Sequence, residues 1–285
     1  MHLSLTGTYT DLYQITMGQV YFLSGKAGTD AVFDYFYRKI PFNGGYSVFA
    51  GLGTVLDILE DFTFNKEDLD YLSSLKFDPA YLKFLRDFRF KGSVFAAREG
   101  EIVFPNQPLL SIHGTIVEAQ LVESMLLNQI NFQSLIATKA ARMFSVANRK
   151  ILSDFGLRRA QGLGGYHASR AAMIGGFTST SNVKAALDFE MHAVGTMAHS
   201  FIQSYGDELA AFGDFAEKKP DGCVLLVDTY DTLRSGLPNA ITVAKEMENR
   251  GHRLQGIRLD SGDLAYLSKS ARKMLDEAGL TYVTI

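Results

Sequence analysis

The order of apolar and polar positions divides the chain into segments of different period. From Val117 to about Arg149 the residues Val122, Leu126, Ile130, Ile136, Ala140, Phe144 and Ala147 recur at three- and four-residue steps, with a looser step after Ile130. That period predicts one long helix, or two stacked ones, packed on a single face. Residues 66–88 share it, with Leu69, Leu72, Leu75, Tyr81, Leu82 and Leu85 inward, and Gly53 to Asp61 predicts a short amphipathic helix. Residues 31–38 are instead aromatic and β-branched and run into a turn at Pro41 to Gly45, as a strand does. Short apolar runs at 94–97, 102–104 and 109–112 are separated by Glu99-Gly100 and by Pro105 to Pro108, which predicts an antiparallel meander.

Later segments alternate by type. Val224 to Val227 reads as a buried strand ending at Asp228, and Leu237 to Arg250 as a helix stopped by Gly251. Leu254 to Leu259 is a second strand ending at Asp260, Leu264 to Ala278 a helix stopped by Gly279, and Thr281 to Ile285 the start of another strand. Buried strands with helices between them imply right-handed βαβ crossovers and a parallel sheet. The expected fold is α/β: an irregular, incomplete (β/α) barrel over 131–285, preceded by an N-terminal α+β domain over 1–130. The final strand signal has no helix to cover it, so the chain is expected to lack a C-terminal part. Asp228 and Asp260 both fall at the C-terminal ends of predicted strands, the edge where parallel α/β proteins place their chemistry.

Charge and composition narrow the class. Lys and Arg number 28 against 31 Asp and Glu, without the basic bias of a nucleic-acid or membrane-surface binder. The lone cysteine, Cys223, cannot form an internal disulfide, the opening MHLSLTGTYTDLYQ has no leader-like apolar core, and no apolar run approaches a membrane span. A globular cytoplasmic protein is expected.

The stretch Asp154 to Asn182 joins Arg158, Arg159 and Arg170 to several glycines and the hydroxyl run Thr178 to Ser181. Backbone N–H groups, hydroxyls and guanidinium together suit a small anion, against the alternative of a solvated surface loop. Gly162 to Gly165 lacks the spacing and leading strand of a dinucleotide fingerprint. His199 follows a short apolar segment and is either a structural residue or a nucleophile or base. No histidine pair has metal-ligand spacing with a third partner, so no protein metal site is expected. Asp228 and Asp231 suit either a grip on ribose hydroxyls or a turn before a helix. Arg258 and Asp260 share one strand face, as ligand contacts or as a pair. A glycosidase using Asp228 and Asp260 is a competing reading, but it leaves the arginine- and glycine-rich stretch unexplained, and a sugar-polymer cleft would be expected to show tryptophans, of which there are none.

In order along the chain, Thr10-Asp11-Leu12-Tyr13-Gln14, the RKIPF turn at Arg38 to Phe42, FAGL at Phe49 to Leu52, DFGLRRAQG, GGFTSTSN, GTMAHS, LLVDTYDT and RLDSGD closely resemble nicotinate phosphoribosyltransferase, a type II phosphoribosyltransferase. The resemblance runs from Thr10 to the end, without the family's further barrel strands and C-terminal phosphate loop. It implies ATP-coupled transfer of phosphoribosyl from 5-phosphoribosyl 1-diphosphate to nicotinate, giving nicotinate mononucleotide and pyrophosphate, in a homodimer with a shared active site. His199 would be the phosphorylated histidine and Asp260 the carboxylate near the ribose. Tyr13, Phe155, Thr196 and Arg258 would contact nicotinate, with Tyr13 reaching from the neighbouring subunit. Arg158, Ser179 and Asp228 would serve phosphate and ribose. Mg2+ would accompany the diphosphate, with no organic prosthetic group. The related nicotinamide-using family places an aspartate where this chain has Thr178-Ser179-Thr180, so a carboxylate substrate fits better. The alternative is a non-catalytic homologue that binds ligand or dimerises without turnover.

Overall fold

The computed structural model describes residues 5–285; the opening four residues, His2 and the start of the stretch inspected for a leader among them, lie outside the described residues. The chain forms two compact units, 1–194 and 195–285. In the first, α1 (Leu12–Leu23) is followed by β1 (Asp30–Tyr35), β2 (Ser47–Val48) and α2 (Leu52–Glu60). The helical signal over 66–88 resolves into α3 (Lys66–Ser74) and α4 (Pro79–Arg86). Lys76 turns left-handed between them (φ 66°) and Asp78 caps α4 through the Ala80 N–H, with Pro79 at its first position. Leu75, expected inside, is consequently exposed at that break.

Then come β3 (Ser93–Ala96), β4 (Ile102–Val103), β5 (Leu110–Thr115) and α5 (Ile116–Val146). The expected meander is not formed. β5 pairs antiparallel with both β1 and β3, whereas β4 pairs with β2. The turn closed by Glu101 N–H on Arg98 O carries the chain away from β3, and Phe49 and Gly100 bond across to fix β4 beside β2. The long apolar period is a single helix opened by a capping box between Thr115 and Glu118. Its Val122, Leu126, Ile130 and Ala140 are buried as expected, while Phe144 is exposed. The expected boundary at 130/131 falls inside this helix. The core beneath it gathers Tyr81, Phe49, Phe62, Leu121 and Met125.

The first unit ends in β6 (Ser153–Asp154), α6 (Leu163–Ile174), β7 (Ser179–Thr180), α7 (Val183–Asp188) and β8 (His192–Ala193). These short strands form a parallel sheet in the order β6-β7-β8, too short for a periodicity to announce them. The second unit holds α8 (His199–Tyr205), α9 (Glu208–Lys218), β9 (Val224–Leu226), α10 (Leu237–Asn249), β10 (Gly256–Arg258) and α11 (Leu264–Glu277). β9 and β10 are parallel, as the alternating pattern requires, and the last predicted strand is present as a parallel bridge from Thr284 to Gly256. Leu225, Ile257, Phe212, Val243 and Leu275 fill its core. The architecture is mixed α/β with small sheets; among the described residues none closes into a barrel. No described helix is long and apolar enough to cross a membrane.

Candidate active site

In the second unit the two predicted strand ends converge. β9 and β10 lie side by side, so Asp228 and Asp260, each two residues past its strand, emerge on neighbouring turns. Asp228 Oδ2 accepts from the Asp260 N–H at 3.0 Å and the Ser261 hydroxyl at 2.6 Å, while its Oδ1 is buried without a hydrogen-bond partner. Arg258 Nη2 donates to Asp260 Oδ1 at 2.8 Å. The other oxygen, Oδ2, lies 3.7 Å from Nε2 of His199, whose Nδ1 is 3.1 Å from the Thr229 hydroxyl. His199 opens α8, and Thr196 lies just ahead, its hydroxyl on Met197 O. Imidazole, two carboxylates and guanidinium therefore form one connected edge. Asp231 is a turn residue, accepting from the Leu233 and Arg234 N–H groups that begin a π-helical turn over Thr232–Gly236. Hydrogen bonding from Arg258, with its charge, outweighs the effect of partial burial and holds the Asp260 carboxyl below its ordinary range. That pairing contributes fully above the unfolded carboxyl's pKa and fades as pH falls through the lower folded value.

In the first unit, Phe155 follows β6 with 46% exposure and Arg158 sits exposed on a 3-10 turn, Leu157–Arg159. Ser179, by contrast, is buried on β7, its hydroxyl 2.6 Å from that of Ser153 and 3.4 Å from Leu152 O. Sequence reasoning gave no role to Asp154, although it opens the DFG motif. Its carboxylate accepts from the Gly156 N–H and from the Ser169 and Thr180 hydroxyls, fixing the start of the arginine-rich stretch to α6 and β7. Thr229 and Ser261 were likewise inside quoted motifs but signalled nothing by type. Tyr13 stands on α1, half exposed, and α1 is seated on α5 through Asp11 and Ser124.

Arg170 is not available as an anion ligand. It forms a two-pronged pair with Glu99, 2.8 and 2.7 Å, and Glu99 also accepts the Gly51 N–H at 2.6 Å. Burial alone would raise the Glu99 carboxyl, but Arg170 and the Gly51 and Gly53 backbone bonds outweigh it and lower it. Replacing Glu99 by Gln leaves the guanidinium half-buried and under-compensated. The expected result is a loss of about 2 kcal/mol in denaturant unfolding of the first unit, with the wild-type advantage fading only as pH falls through the depressed carboxyl pKa.

A parallel strand pair with a histidine, an arginine and two carboxylates gathered at its C-terminal edge is the arrangement by which α/β proteins hold polar small molecules at their strand ends. Models of the nicotinate phosphoribosyltransferase N-terminal domain and of the nicotinate phosphoribosyltransferase family match residues 8–131 and 151–283. A nicotinate phosphoribosyltransferase of Bacillus subtilis is 51% identical over 275 residues, 96% of this chain and 56% of that relative. One from Mycobacterium tuberculosis is 46% identical over 279 residues, 97% of this chain and 59% of that relative. The crystal structure of human nicotinic acid phosphoribosyltransferase superposes with a TM-score of 0.89 at 35% identity, over 96% of this chain and 65% of that one. The chain belongs to the nicotinate phosphoribosyltransferase family and spans a little over half the length of these bacterial relatives.

Proposed function

We propose that this chain carries the substrate and histidine chemistry of ATP-coupled phosphoribosyl transfer from 5-phosphoribosyl 1-diphosphate to nicotinate, in NAD biosynthesis. The anomeric C–O bond to diphosphate breaks as the pyridine nitrogen forms the new C–N bond, giving nicotinate mononucleotide and pyrophosphate. The reading rests on one observation above all: His199, Asp260 and Arg258 are joined through the two oxygens of a single carboxylate. Asp260, kept ionised by Arg258, would stabilise the positive charge that develops at the anomeric carbon. Arg258 would also meet the nicotinate carboxylate, with Thr196 beside it. Thr229 fixes the orientation of the imidazole, and His199 would accept phosphoryl from ATP. The exposed rings of Phe155 and Tyr13 suit stacking on a flat heterocycle, the latter from a neighbouring subunit of a homodimer. Arg158 and Asp228 would serve phosphate and ribose. Ser179 would act indirectly, by holding β6 to β7.

The residues present fit a magnesium ion that arrives with its phosphate ligands. No group of three or more His, Cys, Asp or Glu among the described residues is arranged as a cage, but Asp228 Oδ1 is a buried oxygen without a partner, the type of ligand a hard cation takes. When bound, the ion would neutralise the departing diphosphate. A cytoplasmic setting agrees with the single buried thiol of Cys223.

The test is to incubate the chain with nicotinate, 5-phosphoribosyl 1-diphosphate and ATP, following pyrophosphate release and acid-labile phosphate on His199. Both are expected, and both should be lost in His199→Ala. Binding of nicotinate mononucleotide without pyrophosphate would replace this reading with the non-catalytic one.

A further inference from the structure

The RKIPF turn has no part in the reading above, yet it borders a distinct surface. The sequence has no acidic residue between Asp34 and Asp57, nor between Glu123 and Asp154, although the whole chain is net −3. The fold brings these two stretches together. Val48 N–H donates to Thr138 Oγ1 at 2.8 Å, and Arg142 Nη1 donates to Phe42 O at 3.1 Å. Between them lies an open cleft of about 610 Å³, lined by Phe42, Gly44, Gly45, Tyr46, Lys139, Arg142, Met143, Ser145 and Val146. Every charge on its wall is positive.

Three features suit it to a ligand. Neither Lys139 nor Arg142 forms an ion pair with a described residue, whereas most described cations of α11 and α7 are paired along their helices. Arg142 uses one N–H on the Phe42 carbonyl, which fixes the guanidinium while most of its five donors stay out of that bond. The turn itself is held left-handed at Phe42 and Asn43 (φ 59° and 50°), which presents the half-exposed Phe42 ring, and Gly45 has open space where a side chain would stand. Cations without acids, an approachable backbone and an aromatic wall are the chemistry that suits a phosphate-bearing small molecule.

We propose that this cleft binds a phosphate ester or diphosphate, with Lys139 and Arg142 as its cationic ligands. The assignment stands apart from the catalytic reading, and methionine-methyl NMR separates the two, since Met143 lines the cleft and Met197 adjoins Thr196. Titrating the methyl-labelled chain with inorganic diphosphate at constant ionic strength should shift the Met143 signal saturably. Lys139→Gln with Arg142→Gln should weaken that response by about tenfold or more while any Met197 response persists. Arg142→Lys, which keeps the charge, should retain most of it and guards against loss through misfolding of the turn. A Met143 signal that does not move, that moves equally with sulfate at matched ionic strength, or that is unchanged in the double variant overturns the proposal. A silent Met197 with a responsive Met143 counts against the catalytic reading alone.

Discussion

Replacing Asp260 by Asn is expected to lower kcat/KM for phosphoribosyl transfer by about 10²–10³-fold, the range for removing one preorganised electrostatic group. The substitution keeps the shape of the residue and its backbone bond to Asp228, so the folding cost should be confined to the partly exposed pairing with Arg258. What it removes is the charge that Arg258 and His199 both face. Steady-state kinetics should show the loss mainly in kcat. Loss of rate through protonation of Asp260 itself should set in only below the ordinary aspartate value of about 3.9, because Arg258 keeps this carboxyl ionised beyond that point. A variant within a few-fold of wild type would remove Asp260 from the chemistry.

The largest stability effect is expected at Gly236. This residue closes the π-helical turn beneath β9, and a Cβ there would overlap the Val227 carbonyl and come within 2.9 Å of Val227 Cα. The colliding atoms are backbone, so no rotamer change relieves them. Gly236→Ala should cost about 3 kcal/mol or more, at the upper end for overpacking. Because Val227 precedes Asp228 and Thr229, the shift also disturbs the partner of His199. Cys223 supplies the readout: it is buried in the same core, and burial pushes its thiol up to about 11. Alkylation should be slow in wild type and much faster in the variant, since labelling requires the second unit to open. Equal labelling rates would show that the backbone accommodates the methyl group.

How far the sequence exposed these features depended on length and on partner distance. The three- and four-residue spacing over most of its 31 residues announced α5, though the looser step after Ile130 left one helix or two open. β9 and β10 were visible because each is a compact apolar run between helices. The parallel sheet of β6, β7 and β8 was invisible, since two-residue strands carry no period. The meander failed because turn residues show where a chain bends but not which strand it bends toward. Among site residues, Asp228, Arg258 and Asp260 were found by their places at strand ends. Asp154 and Thr229 were missed because their roles are hydrogen bonds to residues many positions away, which type alone does not reveal. Arg170 misled for the same reason: its partner, Glu99, lies 71 residues upstream.

The carboxylate of Asp228 is asymmetric in its obligations. One oxygen fastens the neighbouring turn through two donors, while the other has none. Scaffold and recognition are thus separable within a single side chain, and substitutions there read out differently. Alanine unfastens the turn and abolishes the vacant oxygen together. Asparagine can preserve the fastening while presenting an N–H where an acceptor stood, so a comparison of the two distinguishes a loosened edge from a lost contact.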